Sequence, residues 1–80
     1  MTVQEQRGYL SRIYKATSIK KIDRVFVDLL RYGHDHPDDI LVPYTIGMAE
    51  MACHFRTGLP LDAITKRVRK ISERIEQSAC

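Results

Sequence analysis

The stretch SIKKIDRVFVDLLRYG, residues 18–33, decides the fold class of this 80-residue chain. Apolar residues recur in it every three or four positions, which is the period of one face of an α-helix. These positions are Ile19, Ile22, Val25, Phe26, Leu29 and Leu30. Ser18 is a good N-cap, because its hydroxyl can accept from a free amide of the first turn, and Gly33 suits the left-handed position that ends many helices. The stretch therefore predicts an amphipathic helix over residues 18–32.

Outward from this helix, similar spacing of apolar residues predicts three more helices. Their expected ranges are 3–16, 40–57 and 60–76. HDHPDD, residues 34–39, is expected to be a connector, because Pro37 biases the residue before it away from helical geometry. No run alternates polar and apolar residues, and no Asn-Gly or Asp-Gly pair marks a hairpin. The chain is therefore expected to be all-α, a small single-domain bundle of three to four helices spanning residues 1–80.

Proline and glycine set the expected ends of the last two helices. Gly58 is expected to end the third helix, and Pro60 to serve as the first residue of the fourth. Pro43 leaves two alternatives open, because a proline is harmless in the first turn but kinks a helix when it lies deeper. The third helix is therefore expected either to bend at Pro43 or to begin near it.

Length and cysteine count bound the class of protein. A chain of 80 residues buries only about 60–65% of the surface of its unfolded form, so association is a common source of added stability. Two cysteines, Cys53 and Cys80, are too few for a secreted disulfide framework. The opening MTVQEQRGYL lacks a signal-peptide pattern, and no apolar run is long enough to span a membrane. We therefore expect a cytoplasmic protein in a reducing compartment, without membrane association.

The formal net charge is +3, and the positions of the charges are more informative than their sum. Basic residues cluster near the first helix junction and again in the last predicted helix, on either side of an acidic turn at residues 35–39. Such runs are often solvated helix faces. As functional residues they would tune a protein contact or lie near nucleic-acid phosphates. The residues concerned are Arg12, Lys15, Lys20, Lys21, Lys66, Arg67, Arg69 and Lys70.

The residue pattern does not favour catalysis or metal binding. Residues 34–39 contain several metal-ligating side chains, but the segment also fits a polar, proline-containing turn, which we favour. Cys53 and His54 are sequence neighbours, so on a helix they point about 100° apart and do not form an activated thiol pair. No glycine-rich phosphate loop is present. We expect no enzyme activity, no cofactor and no metal site.

LPLDAITKRVRKISERIEQ, residues 59–77, carries the pattern that points to a contact surface. Its apolar residues follow the three-four spacing of a helix that packs along another helix. Two interpretations stay open: the stripe covers the second and third helices within one bundle, or it is a seam for self-association or for a protein partner. The residues assigned to partner contact are Leu61, Ile64, Val68 and Ile71.

HFRTGLPLDAITKRVRKI, residues 54–71, has the outline of a helix-turn-helix. Its second helix opens with Leu61, Ala63 and Ile64 rather than with the polar residues that read base edges. The basic residues come later, where contact with phosphates is more natural. Non-specific phosphate contact is therefore favoured over sequence-specific recognition.

Two stretches, residues 9–30 and residues 38–45, resemble the small bacterial nucleoid-associated co-regulators of the Hha/YmoA family. YLSRIYKATSIKKIDRVFVDLL, residues 9–30, is similar to the first two helices of that family, including a basic-hydrophobic-aromatic step at Arg24, Val25 and Phe26. DDILVPYT, residues 38–45, resembles the family's acidic entry to the third helix, and the opening MTVQ looks like its start. The resemblance covers about half of the chain.

The chain departs from the family after this point. Ile46, Gly47, Met48, Ala49 and Glu50 stand where the family has a small-small-acidic-His-Arg run, and the family's C-terminal tryptophan is missing. The resemblance implies a non-enzymatic adaptor that docks on an H-NS-type silencing protein and adds positive charge near DNA. The departures fall on residues that take part in that docking.

The functional expectation is a small non-enzymatic regulatory adaptor that acts by protein–protein contact, as a homodimer or on a partner such as an H-NS-type DNA-binding protein. Two alternatives stay open. One is direct DNA binding, either non-specific or helix-turn-helix-like. The other is an inhibitor borne by a phage or mobile element that occupies a host protein.

Overall fold

The computed structural model describes residues 1–78, and over that range it contains four helices and no strand. The helices are α1 (Val3–Lys15), α2 (Ile19–Asp35), α3 (Leu41–Thr57) and α4 (Leu61–Ser78). The prediction of a small all-α bundle is confirmed. The largest difference from the predicted helix bounds is at the end of α2. Cys80, one of the two cysteines considered above, lies outside the described residues.

Local hydrogen bonds explain where three of the helices begin or end. α1 starts with a capping box, in which the Glu5 N–H donates to Thr2 Oγ1 at 3.1 Å and the Thr2 N–H donates to Glu5 Oε1 at 3.0 Å. The bond from the Thr2 N–H, followed by an interaction with the Thr2 hydroxyl, lowers the pKa of the Glu5 carboxyl. Ser18 caps α2 by accepting from the Lys21 N–H, and Gly58 ends α3 in the left-handed region with φ 74°. The predictions for Ser18 and Gly58 are confirmed.

Gly33 does not end α2, so that prediction is wrong. The helix continues to Asp35, and the last N–H, from His36, donates to the Tyr32 carbonyl at 3.0 Å. Gly33 has a packing role instead, because a Cβ at this position would lie 2.7 Å from Cγ1 of Val42. The glycine lets α2 and α3 approach each other closely where the connector joins them.

Pro43 and Pro60 lie at the starts of helices. α3 begins at Leu41, so Pro43 lies in the first turn, where its missing N–H has no partner to lose. Of the two alternatives for α3, the structure shows the one without a kink. α4 begins at Leu61, one residue later than predicted, and the Pro60 carbonyl accepts from the Ile64 N–H at 3.2 Å.

The α2–α3 pair forms the centre of the bundle, with α1 and α4 on opposite sides of it. Each outer helix contacts both central helices, and within residues 1–78 the outer two do not contact each other. Hydrogen bonds show that α1 and α3 are parallel: Gln6 bonds Thr45 near their starts, and Arg56 bonds the Tyr14 carbonyl near their ends. The arrangement leaves one side of each central helix facing outward.

The core collects the apolar side of every helix. Its largest fully buried apolar side chains are Phe26, Ile13, Leu29 and Ile64. α3 contributes mainly small residues, Ala49, Ala52 and Cys53. Small side chains there leave room for the larger ones of α1, α2 and α4, as close packing requires. None of the helices in the described range is long and apolar enough to cross a membrane.

Candidate functional site: an apolar groove and a basic face

An exposed apolar groove of about 500 Å³ runs between α1 and α3. Its main side chains are Leu10 and Tyr14 from α1 and Tyr44, Met48, Met51 and Phe55 from α3. Tyr44 and Phe55 are both 70% exposed, although each carries a large ring. Among residues 1–78, none that lines the groove is charged.

The groove exists because α3 has two apolar faces. The inner face is buried in the bundle and comprises Val42, Thr45, Ala49, Ala52 and Cys53. The outer residues Tyr44, Met48, Met51 and Phe55 follow spacings of four, three and four, so they share the other side of the helix. A helix that is apolar all round is normally buried on all sides. The outer face of α3 therefore has the composition of a buried surface, and no other described part of the chain covers it.

Polar groups fix the walls of the groove and border it. Arg56 joins the ends of both helices, because its Nε donates to the Tyr14 carbonyl at 3.0 Å and its Nη2 donates to the Ala16 carbonyl at 3.2 Å. Arg7 is exposed and lies one turn before Leu10 on the same side of α1, which places a positive charge beside the groove. Within the groove, a Cβ on Gly47 would meet nothing within 4 Å.

The outward side of α2 is basic. Lys20, Arg24 and Arg31 are exposed and lie along one side of the helix, opposite the buried Val25 and Phe26. Eleven residues separate the first from the last, so this ridge is about 16 Å long. We refer to Lys20, Arg24 and Arg31 as the α2 ridge.

Arginines pair with two of the three carboxylates beside the α2 ridge. Arg67 of α4 bonds Asp23, with 3.2 Å between its Nε and Oδ1 of the aspartate. On the other flank, Arg12 of α1 bonds Asp28, with 2.8 Å between Nη2 and Oδ2. All four side chains are partly exposed, so each pair contributes at most about 1 kcal/mol to stability. Their main consequence is electrostatic, because they match the charges of Asp23 and Asp28, whereas Asp35 stays exposed four residues after Arg31.

Two depressions extend the basic surface onto α1 and α4. One, of about 330 Å³, lies between α1 and α2, and the other, of about 210 Å³, lies between α2 and α4. Their basic lining residues are Arg12, Lys15, Lys21 and Arg24 in the first and Arg67, Lys70 and Arg74 in the second. Together with the α2 ridge, these residues form what we call the basic face.

The groove and the basic face lie on opposite sides of the molecule. α2 and α3 pack against each other through their buried sides, so their outward sides point away from each other. A ligand on one surface therefore leaves the other surface free.

The structure corrects two of the predicted partner-contact residues. Ile64 and Val68 are only 1% and 8% exposed and belong to the core, so they cannot touch a partner in this fold. Ile71 is half-buried against the core, and Leu61 is 40% exposed. The stripe on α4 follows the first of the two interpretations, packing inside one bundle.

The predicted electrostatic residues divide into two groups. Those in the basic face are Arg12, Lys15, Lys20, Lys21, Arg67 and Lys70. Lys66 and Arg69 are exposed elsewhere on α4, and Arg69, two positions after Arg67, points to the far side of that helix. Arg24, Arg31 and Arg74 belong to the same surface and were not among the eight predicted residues.

The cysteine–histidine neighbours on α3 do not form a nucleophile–base pair. Cys53 is buried, which raises the pKa of its thiol, and Nδ1 of His54 lies 2.6 Å from the Leu59 carbonyl oxygen. In the connector, the His36 ring stacks on Tyr32 with centroids 4.2 Å apart. Within residues 1–78, no group of three or more His, Cys, Asp or Glu side chains is placed to hold a metal ion.

The groove is the feature that sequence reasoning missed. The signal was in YTIGMAEMACHF, residues 44–55, whose apolar residues occupy both sides of a helix. The prediction placed the partner surface on the regular stripe of α4, but a regular amphipathic stripe is also what a helix packed within its own fold shows.

The fold and its surfaces define a class of protein: a small four-helix bundle with an exposed apolar groove opposite a basic face. Comparison of the chain with protein-family models, with curated proteins and with solved structures finds no match.

Proposed function

We propose that this protein is a small non-enzymatic regulatory adaptor that acts by protein–protein contact through the groove between α1 and α3. The observation that carries the proposal is the exposed outer face of α3, from Tyr44 to Phe55. Contiguous exposed apolar surface marks interaction sites in monomeric proteins. Aromatic residues and methionine are also the types enriched at the centres of interfaces.

The groove fits an amphipathic helix of a partner protein. Its two walls, α1 and α3, are parallel, and the distance along α3 from Tyr44 to Phe55 is about 16 Å, or three helical turns. Helix-in-groove recognition uses apolar anchors at this spacing. Met48 and Met51 are flexible and polarisable, so they can adapt to the side chains of such a helix.

The charge beside the groove favours an acidic partner helix over a second copy of this chain. Two copies facing each other through the same patch would bring two Arg7 side chains into one interface. A partner helix with a carboxylate on that border would pair with Arg7 instead. An H-NS-type DNA-binding protein, the partner implied by the family resemblance, is one candidate. A host protein that is blocked by this chain is another.

Site-specific photo-crosslinking tests the proposal. A benzophenone amino acid replaces Met48 in the groove or, as a control, Lys66 on α4, and each chain is irradiated in a lysate of the source organism. We expect one protein to crosslink from Met48 and not from Lys66, with the attached peptide forming an amphipathic helix that has acidic flanks. Crosslinks to the chain itself would show that a second copy fills the groove and would contradict the proposed occupant.

Two glycines provide matched variants once that partner is known. Gly47 lies in the groove and Gly8 on another side of α1, and a side chain at either position meets open space. Gln at both sites should raise helix stability by about 1 kcal/mol. Gly47→Gln also puts a polar group into the groove, so we expect it to weaken partner binding at least tenfold, while Gly8→Gln leaves binding unchanged. Equal effects of the two variants on partner binding would show that the groove is not the binding site.

A further inference from the structure

We propose that the basic face is a second, independent binding site, for the phosphate backbone of nucleic acid. The α2 ridge of Lys20, Arg24 and Arg31 is its centre, and the basic depressions on either side widen it onto α1 and α4. The carboxylates of Asp23 and Asp28 pair with Arg67 and Arg12, and Arg24 of the ridge also lies 3.6 Å from Asp28. Asp35 is exposed four residues after Arg31, so the cations of the basic face still outnumber the unmatched carboxylate beside them.

The shape of the basic face favours a ligand with many regularly spaced charges. Its cations are spread over about 16 Å along α2 and over three helices in width, and its depressions are shallow and open. A small anion would engage the cations of one depression only, whereas an extended ligand can contact the ridge and both depressions at once. Duplex DNA carries one negative charge per about 1.7 Å of axis, so it presents several phosphates to a ridge of this length at once.

Two observations separate nucleic acid from an anionic membrane and from base reading. The large apolar residues exposed in the described range lie on α1 and α3, at Ile40 before α3 and at Leu61, the first residue of α4, and none lies on α2. Interfacial membrane binding needs apolar side chains that insert beneath the basic ones. The exposed side of α2 also lacks Asn and Gln, which read adenine edges, so its lysines and arginines are placed for phosphate contact without sequence preference.

Fluorescence anisotropy with a labelled 24-base-pair duplex of arbitrary sequence tests this site. Two double variants of the full chain are compared: Arg24→Gln with Arg31→Gln on the ridge, and Arg7→Gln with Arg69→Gln elsewhere. Both remove two exposed arginines, and Gln is a good helix former, so the variants match in net charge and folding. Circular dichroism confirms that both remain helical.

We expect wild-type affinity to fall steeply with salt, with a log–log slope of about −3 or steeper. The ridge variant should lose about two units of that slope, since each neutralised phosphate contributes about 0.9. Its affinity at 100 mM salt should fall at least tenfold, while that of the control variant changes less than threefold. A flat salt response would overturn the proposal, and so would equal losses in the two variants, which would mean diffuse attraction by net charge.

Two competitors identify the ligand class. Poly-glutamate that displaces the duplex as well as unlabelled DNA does, at equal charge, would assign the basic face to an acidic protein and overturn the proposal. Vesicles containing 30% phosphatidylserine that bind the chain when DNA does not would assign it to a membrane. The groove variant Gly47→Gln should bind DNA like wild type. Failure of the partner proposal therefore leaves this one standing, and the reverse also holds.

Discussion

α2 and α3 are both 17-residue helices at the centre of the bundle, and they differ in what they show to solvent. Each buries one side against the other. The outward side of α2 carries Lys20, Arg24 and Arg31, whereas that of α3 carries Tyr44, Met48 and Phe55. α2 is an amphipathic helix, and its apolar side is packed within this chain. α3 is apolar on both sides, so half of its surface has no partner in the part of the chain that the structure describes.

The difference between the outward sides of α2 and α3 shows which of the two helices indicates a function. A clean amphipathic pattern says that a helix is on the outside of its own fold and gives little more. The blurred pattern of α3 is the informative one, because apolar residues on the outward side gain nothing from folding of this chain alone. They remain a cost in solubility unless something else covers them.

The largest expected effect contrasts the two phenylalanines, one on each central helix. Phe26 of α2 is 2% exposed and Phe55 of α3 is 70% exposed. Phe26→Ala should lower the free energy of unfolding by about 3–5 kcal/mol, because it empties a core site. Phe55→Ala should change it by less than about 0.5 kcal/mol. Urea unfolding followed by circular dichroism measures both, and a similar loss for Phe55→Ala would show that the outer face of α3 belongs to the core.

The helix patterns and helix ends show how much of the fold was predictable from sequence. The stripe of α2 and the terminators Ser18 and Gly58 depend on local chemistry, which a single sequence displays. Gly33 was misread because its role depends on the nearness of Val42, which is a tertiary fact. The ends of α2 and α4 differ from prediction for a related reason, since helix ends respond to the packing around them.

The candidate site was predictable only in part. The basic residues of α1 and α2 were identified because charge is visible in any sequence. That they share a surface with Arg67 and Lys70 depends on the packing of α4 against α2, which the sequence does not display. The partner surface was assigned to Ile64 and Val68, which are core. Spacing alone cannot tell a seam that faces inward from one that faces outward, because both use the same period.

The second expected effect separates the groove from the basic face. Tyr44→Ala with Phe55→Ala removes two exposed rings from the groove and should weaken partner binding by at least thirtyfold, since the loss of even one aromatic anchor of an interface costs about 2 kcal/mol. The same protein should bind duplex DNA like wild type. Arg24→Gln with Arg31→Gln should show the reverse pattern. Titration of the partner and of duplex DNA against both variants measures this. If one variant lost binding to both ligands, the two surfaces would form a single site.

The third expected effect tests the contact that holds α2 against α3. Gly33→Ala puts a methyl group 2.7 Å from Cγ1 of Val42, whose branched side chain has little freedom to move away. We expect a net loss of about 1–2 kcal/mol, because overpacking outweighs the gain in helix propensity. Gly8→Ala, in open space on α1, should instead stabilise the protein by about 0.5–1 kcal/mol. Thermal melts of the two variants should therefore shift in opposite directions, and a stabilised Gly33→Ala would mean that the two helices are free to separate.

The smallest expected effect concerns acid and the start of α3. Asp39 Oδ1 accepts from the Leu41 N–H at 3.0 Å, and its other oxygen accepts from the Met1 amino group and the Tyr32 hydroxyl. The bond to the amino group, followed by those to Leu41 and Tyr32, holds the pKa of Asp39 below its usual value, although partial burial opposes the shift. A carboxyl with a lowered pKa in the folded state stabilises the fold above its unfolded pKa of about 3.9 and loses that contribution as pH falls through the folded pKa.

Asp39→Asn should therefore unfold at a lower urea concentration than wild type at pH 7, and the difference should shrink below about pH 4. Asp28→Asn is the matched variant on α2, where the carboxylate is partly exposed between two arginines and contributes little. Urea midpoints at pH 7, 5, 4 and 3 measure both. A gap between wild type and Asp39→Asn that stays constant down to pH 3 would mean that Asp39 acts through its shape and not its charge. The start of α3, and with it the Tyr44 end of the groove, would then be held without electrostatic help.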